Sequence, residues 1–256
     1  LLLTGTVFEK GKEAMEYTVF FVLGLMVGSF LNVCIQRIPE GQSVLYPPSR
    51  CSACGKRIEW RYLVPVANYI FLKGKCRYCG DRIPPVYPVV ELTTAALYII
   101  AFYRFRNGIM FFKSIVLMPV LLVTAIIDLE EQIIPDSLVI FGLVSGTVFA
   151  LAGGSRSLRD ALLGAVIGGG ILLAIALVSK GGMGWGDVKL SAVIGLFLGW
   201  QSTLLMLYIS FISGGAVSLL LLLTGKKGRK DPVPFGPFLS GSAALALLFG
   251  QRLFSF

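Results

Sequence analysis

Few residues in this chain could do chemistry. It contains no histidine, which excludes a Ser-His-Asp triad, a Cys-His dyad and any His-ligated catalytic metal. Carboxylates, lysines, tyrosines and cysteines remain as acid–base groups. Asp128 in TAIIDLEEQIIPD and Asp187 in GMGWGDVKL each sit at the edge of a strongly apolar run, and Glu91 lies in another, YPVVELTT. An ionisable residue at the edge of or inside a membrane-spanning segment is a functional candidate by default, because its desolvation is costly. Two facing aspartates would supply aspartyl-protease chemistry. Like charges held close cannot both ionise cheaply, so the pair shares one proton; one member takes a proton from water and the other polarises the scissile carbonyl. A helix start favours an anion, so Asp187 is the expected ionised partner. The glycines before it let a substrate backbone come close.

Simpler roles compete. A lone aspartate at a helix start is often a cap, and Asp136, after Pro135, reads as one. Glu130 and Glu131 read as solvated loop acids. Lys189 reads as a counter-charge or a side chain snorkelling to the interface. On these residues alone, a polytopic ion- or proton-coupled transporter using the same acids stays open beside a peptidase.

Four of the five cysteines form two knuckles, Cys51-Ser-Ala-Cys54 and Cys76-Arg-Tyr-Cys79, each followed by glycine. Two residues between thiolates aim both sulfurs at one ion, and two such knuckles complete a tetrahedral zinc site. Disulfides and an iron–sulfur or redox role are the alternatives; a reducing cytoplasmic setting disfavours the first. A closed four-cysteine site has no open coordination position and would fold its loop rather than catalyse. Cys34 reads as a small buried apolar residue.

These residues must be positioned by membrane helices. The 256-residue chain is 55% hydrophobic, with a mean hydropathy of +0.80, which points to an integral membrane protein. Apolar segments recur at Tyr17–Ile35, Tyr87–Phe105, Ile109–Asp128, Ser137–Ala152, Leu158–Ser179, Val188–Trp200, Thr203–Thr224 and Phe235–Phe254. The expected fold is an all-α polytopic membrane protein of about eight transmembrane helices, with a small cytoplasmic zinc-ribbon-like domain between helices 1 and 2. Its expected parts are an N-terminal tail or vector-derived scar (1–16), a first transmembrane helix (17–35), the four-cysteine zinc domain (36–86) and a transmembrane core (87–256). The segment 36–86 carries nine Lys or Arg (37, 50, 56, 57, 61, 73, 75, 77, 82) against Glu40, Glu59 and Asp81, and the last loop, GKKGRKDP, is also basic. Eight spans put both loops on one side, which the positive-inside rule makes cytoplasmic. Arg104, Arg106, Arg156 and Arg159 fall on the opposite side, so the bias is not clean. Asp128 then ends an inward helix and Asp187 starts an outward one, both at the cytoplasmic boundary.

The pieces GSFLNVCIQRIP (28–39), PPSRCSACG (47–55), KGKCRYCG (73–80), YPVVEL (87–92), IDLEEQIIPD (127–136) and GMGWGDVKL (182–190) give the chain its resemblance to a family. It resembles the type IV prepilin peptidases, bifunctional leader peptidase/N-methyltransferases of the membrane GxGD aspartyl protease group. The resemblance implies that Asp128 and Asp187 are the catalytic pair, and that Cys51, Cys54, Cys76 and Cys79 bind structural zinc. It also implies cleavage of the basic leader of prepilins or pseudopilins after a glycine, then methylation of the new amine with S-adenosylmethionine, in the bacterial inner membrane. Such a chain serves a type IV pilus or type II secretion system; its partners are those substrates and membrane lipid, not nucleic acid. No Rossmann-type glycine fingerprint precedes a strand here, so the methyl-donor site has no assignment beyond Glu91 and the GSFLN stretch (Gly28, Ser29, Asn32). The basic loop would repel a basic leader, and its charge suits anionic headgroups.

Overall fold

The computed structural model describes residues 2–51, 53–59, 64–179, 182–226, 228 and 231–253. Parts of the basic loops, including Arg61, Lys227, Arg229 and Lys230, and Phe254, the end of the last apolar segment, lie outside the described residues. Among the described residues the fold is all-helical, with no strand beyond two isolated bridges. The helices are α1 (Leu2–Arg37), α2 (Ala67–Phe71), α3 (Val86–Phe105), α4 (Ile109–Glu131), α5 (Asp136–Ala152), α6 (Gly154–Val178), α7 (Trp185–Leu198), α8 (Trp200–Leu223) and α9 (Gly236–Leu253). Among the described residues, five stretches are long and apolar enough to cross a membrane: Lys12–Arg37, α3, α4, α6 and α8.

The chain divides into two compact units, Leu1–Phe111 and Phe112–Phe256. In the first, α1 packs along α3. The contact is close because Gly24 and Gly28 carry no side chain: a Cβ on either would lie 2.5 Å from Ala95 Cα or 2.6 Å from Glu91 Cα. Small residues spaced in this way let backbones meet where lipid supplies no hydrophobic drive between helices. Farther along, rings of Tyr17, Phe20, Phe102 and Phe111 fill the space between the helices. α1 runs through residues expected as a tail; Glu9, Lys10, Lys12, Glu13 and Glu16 are compatible with helix there.

In the second unit α7 is the hub, packed against α5, α6, α8 and α9. Glycines again set the distances. A Cβ on Gly164 of α6 would fall 2.3 Å from the Gly195 carbonyl oxygen of α7, and one on Gly142 of α5 would fall 2.5 Å from Val193. Meanwhile Ile140, Phe141, Val144, Val148 and Leu151 of α5 are exposed, as a lipid-facing helix surface requires. With 14 residues, α7 is about 21 Å long, shorter than the ~30 Å hydrocarbon core. It ends at Gly199, whose φ of 76° turns the chain into α8. The apolar segment read as Val188–Trp200 is therefore α7 plus the first residue of α8.

Candidate active site

Asp128 lies in the last turn of α4 and Asp187 in the first turn of α7. Both are buried, and both line one cavity of about 400 Å³, whose wall includes Gln132, Ile134, Asp136, Trp185 and Lys189. They are near enough for the charge of Asp128 to act on Asp187. The local sequence explains each placement. α4 stops where Gln132 takes φ 55° and bonds back to the Asp128 carbonyl, and Pro135 then starts α5 from an extended conformation. At α7 the N-cap is Gly184; Asp187 stands three residues on, where its carboxylate reaches back to the Gly184 backbone.

Gly186 is sterically demanded, and a side chain at Gly184 would push the Asp187 carboxylate aside. A Cβ on Gly184 would lie 2.9 Å from Asp187 Oδ2, and one on Gly186 would lie 2.8 Å from Ile134 Cβ. Asp128 has its own backbone partner: Gly236, at the start of α9, donates its N–H to Asp128 Oδ2 at 2.8 Å. Asp187 Oδ1 is buried with no hydrogen-bond partner. The sequence reading missed Gly236. Its signal was a glycine set between Phe235 and Pro237 where the last apolar run begins, but its contact lies 108 positions away.

Two expectations need correction. Asp136 makes no side-chain cap; the N-cap of α5 is Pro135, and Asp136 instead pairs with Lys189 Nζ at 2.8 Å on the cavity lip. Lys189 is thereby the counter-charge of Asp136 rather than of Asp187. Glu130 and Glu131 are exposed, as expected of solvated acids, but they belong to the last turn of α4 rather than to a loop.

The first unit holds two further sites. The Sγ atoms of Cys51, Cys54, Cys76 and Cys79 all lie within 4.8 Å of one another, with Cys51 and Cys79 at 3.9 Å. A tetrahedron of Zn–S bonds about 2.3 Å long has its sulfurs about 3.8 Å apart, so this donor set fits zinc. The two knuckles fold alike. Cys51 N–H donates to Lys56 O and Gly55 N–H to Cys51 O; Cys76 N–H donates to Asp81 O and Gly80 N–H to Cys76 O. Gly55 and Gly80 have φ of 67° and 74°, a left-handed conformation that glycine adopts without strain. Backbone N–H groups of Cys79 and Tyr78 bring the Cys76 thiol down to about 7. At Cys79 the Asp81 backbone pulls the same way, but desolvation and the neighbouring sulfurs push the thiol up to about 12. Sulfurs so crowded cannot all be thiolates without a cation among them.

Beside the knuckles, a cavity of about 210 Å³ is lined by Asn32, Gln36, Tyr69, Tyr87 and Glu91 among others. The residues singled out in the sequence, Asn32 and Glu91, thus share one pocket. Asn32 donates to Tyr87 O at 3.1 Å, Gln36 bonds the Tyr87 hydroxyl, and Glu91 Oε2 accepts the Val66 N–H at 2.7 Å.

Comparison with known proteins covers both units. The model described as Bacterial Peptidase A24 N-terminal domain matches residues 22–105, and that of the Type IV leader peptidase family matches residues 115–219. The chain is 35% identical over 239 residues to a prepilin leader peptidase/N-methyltransferase of Bacillus subtilis, covering 93% of this chain and 96% of the relative. Similar enzymes of Aeromonas salmonicida (33% over 273 residues; 95% and 94% covered) and Pseudomonas putida (34% over 278 residues; 97% and 96% covered) carry the same name. No solved structure matches the chain.

Proposed function

Because the chain belongs to the type IV leader peptidase family, we propose that it cleaves the basic leader of prepilins or pseudopilins through Asp128 and Asp187, and then methylates the new amino terminus. The observation that carries the peptidase reading is that two buried carboxylates from separate helices line one cavity. One carboxylate removes a proton from water as its oxygen attacks the scissile carbonyl carbon. The other gives its proton to the carbonyl oxygen; the C–N bond then breaks as the amine is protonated.

Helix polarity argues for an ionised Asp187, but by only about 0.3–1 kcal/mol. Asp187 Oδ1 is buried against the shared cavity and accepts no hydrogen bond from a protein donor, which leaves it placed to carry a proton. This supports placing the shared proton on Asp187 and giving Asp128 the part of base, the reverse of the expectation from sequence. The Asp136–Lys189 pair on the lip offers Asp136 as an alternative partner for a basic leader residue.

Methyl transfer belongs to the pocket of Asn32 and Glu91, where S-adenosylmethionine would supply the methyl group. Zinc held by Cys51, Cys54, Cys76 and Cys79 would brace the wall of that pocket, which Cys51 and Cys76 help to line. We place the chain in the bacterial inner membrane with eight spans, α7 being the short one, and with the cysteine loop and the aspartates at the cytoplasmic face. A basic leader stays on that side while the apolar stem lies in the bilayer. Membership of this family replaces the transporter reading of the same acids.

The test is incubation with a prepilin peptide, reading mass loss for cleavage and mass gain for methylation. Asp128→Asn and Asp187→Asn should each abolish cleavage and leave methylation of a pre-cleaved peptide intact. Cleavage by both single variants would end the assignment.

A further inference from the structure

We propose that Gly236, at the start of α9, is a positioning residue that sets the Asp128 carboxylate; the proposal rests on the peptidase reading of Asp128. α9 opens with Phe235-Gly236-Pro237-Phe238, and its leading donors are nearly all committed. Phe238 and Leu239 N–H both return to the Phe235 carbonyl at 3.1 Å, and Pro237 has no N–H. The Gly236 N–H is left for another element, and it goes to Asp128 Oδ2 at 2.8 Å.

The contact is steric as well as polar. A Cβ at position 236 would lie 2.7 Å from Asp128 Oδ2, 3.0 Å from its Cγ and 3.1 Å from its Cβ. The whole carboxyl group therefore rests on the bare glycine backbone. An ordinary helix start attracts a carboxylate whatever residue stands there; here only glycine lets the carboxylate come this close.

The start of α9 is itself held firmly. The Phe235 ring stacks on Phe211 of α8 at 5.4 Å and lies over Gly214, and Ser210 Oγ donates to the Phe238 carbonyl at 3.3 Å. α8 thus fixes Phe235 and Phe238, these fix the glycine between them, and the glycine fixes Asp128. Asp187 has a matching arrangement at Gly184, so each aspartate has a backbone glycine at a helix start against its Oδ2. The remaining oxygen of each is then the one available for water, substrate or the shared proton.

The experiment uses the full-length protein in lipid nanodiscs, with a prepilin-type peptide having a basic leader, a glycine before the scissile bond and an apolar stem. Gly236→Ala should lower kcat for cleavage about 100-fold, the scale of a 1 Å misplacement at a reacting group, with KM within about twofold of native. Methyl transfer to the pre-cleaved peptide should be unchanged. Gly241→Ala, in the same helix with open space around its Cβ, should leave both activities as they are. A thermal-unfolding cycle supplies a readout apart from catalysis: Gly236→Ala should lower Tm in the native background and not in an Asp128→Ala background, where no carboxylate remains to be displaced. If Gly236→Ala fails to fold, the double variant should fold.

Native kcat in Gly236→Ala, a loss carried by KM, or an equal drop in Tm in both backgrounds would each overturn the proposal. Cleavage by Asp128→Asn would instead end the peptidase reading beneath it. Loss in Asp128→Asn with native cleavage in Gly236→Ala would sink only the role of Gly236.

Discussion

Val66 precedes α2 with φ 59° and ψ −50°, the centre of a γ-turn that the Ala67 N–H closes onto the Pro65 carbonyl; a β-branched residue enters this rare backbone at a cost of about 1–3 kcal/mol. Beside that bond, Glu91, buried in α3, helps to hold the turn: its Oε2 accepts the Val66 N–H at 2.7 Å. Leaving such a donor without its partner costs about 1–3 kcal/mol, so the bond and the strain are of similar size. Removing the bond with Glu91→Ala leaves the strain without this offset. The loss of about 2 kcal/mol shifts the local equilibrium some 30-fold toward release of the turn. Val66 and Glu91 both line the smaller cavity, so the expected result is a fall in methyl transfer to a pre-cleaved peptide, with prepilin cleavage retained.

The decisive variant is Val66→Gly. Glycine adopts this backbone without strain, so Val66→Gly in the Glu91→Ala background should restore methyl transfer most of the way. Limited proteolysis near Val66 should follow the same order: faster in Glu91→Ala, slower again in the double variant. If Glu91 instead acts by touching the methyl donor, Val66→Gly rescues nothing. That result, or native methyl transfer in Glu91→Ala, would refute the argument.

Two further predictions follow from the geometry. Gly164→Ala puts a Cβ 2.3 Å from the Gly195 carbonyl oxygen, about 1 Å inside an ordinary C···O contact; α6 and α7 must part, at about 1–3 kcal/mol of stability and up to about 100-fold in cleavage rate. Gly170→Ala, six residues along α6 with nothing near its Cβ, should match native protein in Tm and rate, and equal behaviour of the two variants would contradict the packing account. For the cysteine cluster, metal analysis of purified protein should give about one zinc per chain, and Cys76→Ser should lower zinc content and methyl transfer while cleavage persists. Absence of zinc from native protein, or loss of both activities together at unchanged expression, would count against a structural metal that serves the first unit alone.

The helices were legible because hydropathy is a running property of the chain. A helix stands at each of the eight apolar segments, although α1, α4 and α6 extend past the segments read for them and α7 stops before Trp200. α2 was not visible, since five residues are too few to show a period. The cysteine knuckles could be read for a similar reason: a two-residue spacing followed by glycine is a complete local instruction, and the bonds that close each turn join residues at most five apart. Asp136 was misread because Pro135 and a following acid look like a cap from sequence alone, whereas its partner, Lys189, is 53 positions away.

Which residues are able to do chemistry follows from the chain before it folds. The absence of histidine, the four paired cysteines and two carboxylates at the borders of apolar runs left few mechanisms standing, because residue type and local spacing are properties of the chain before it folds. How those carboxylates are held is a property of the folded protein. Bringing Asp187 into the same cavity as Asp128 requires α7, a helix of only 14 residues, packed among α5, α6, α8 and α9. The grip on Asp128 by Gly236, and on Val66 by Glu91, depends on atoms from distant parts of the chain meeting within 3 Å. No local pattern encodes such distances; at Asp128 the distance is set by how closely the bare backbone of Gly236 allows the carboxylate to approach.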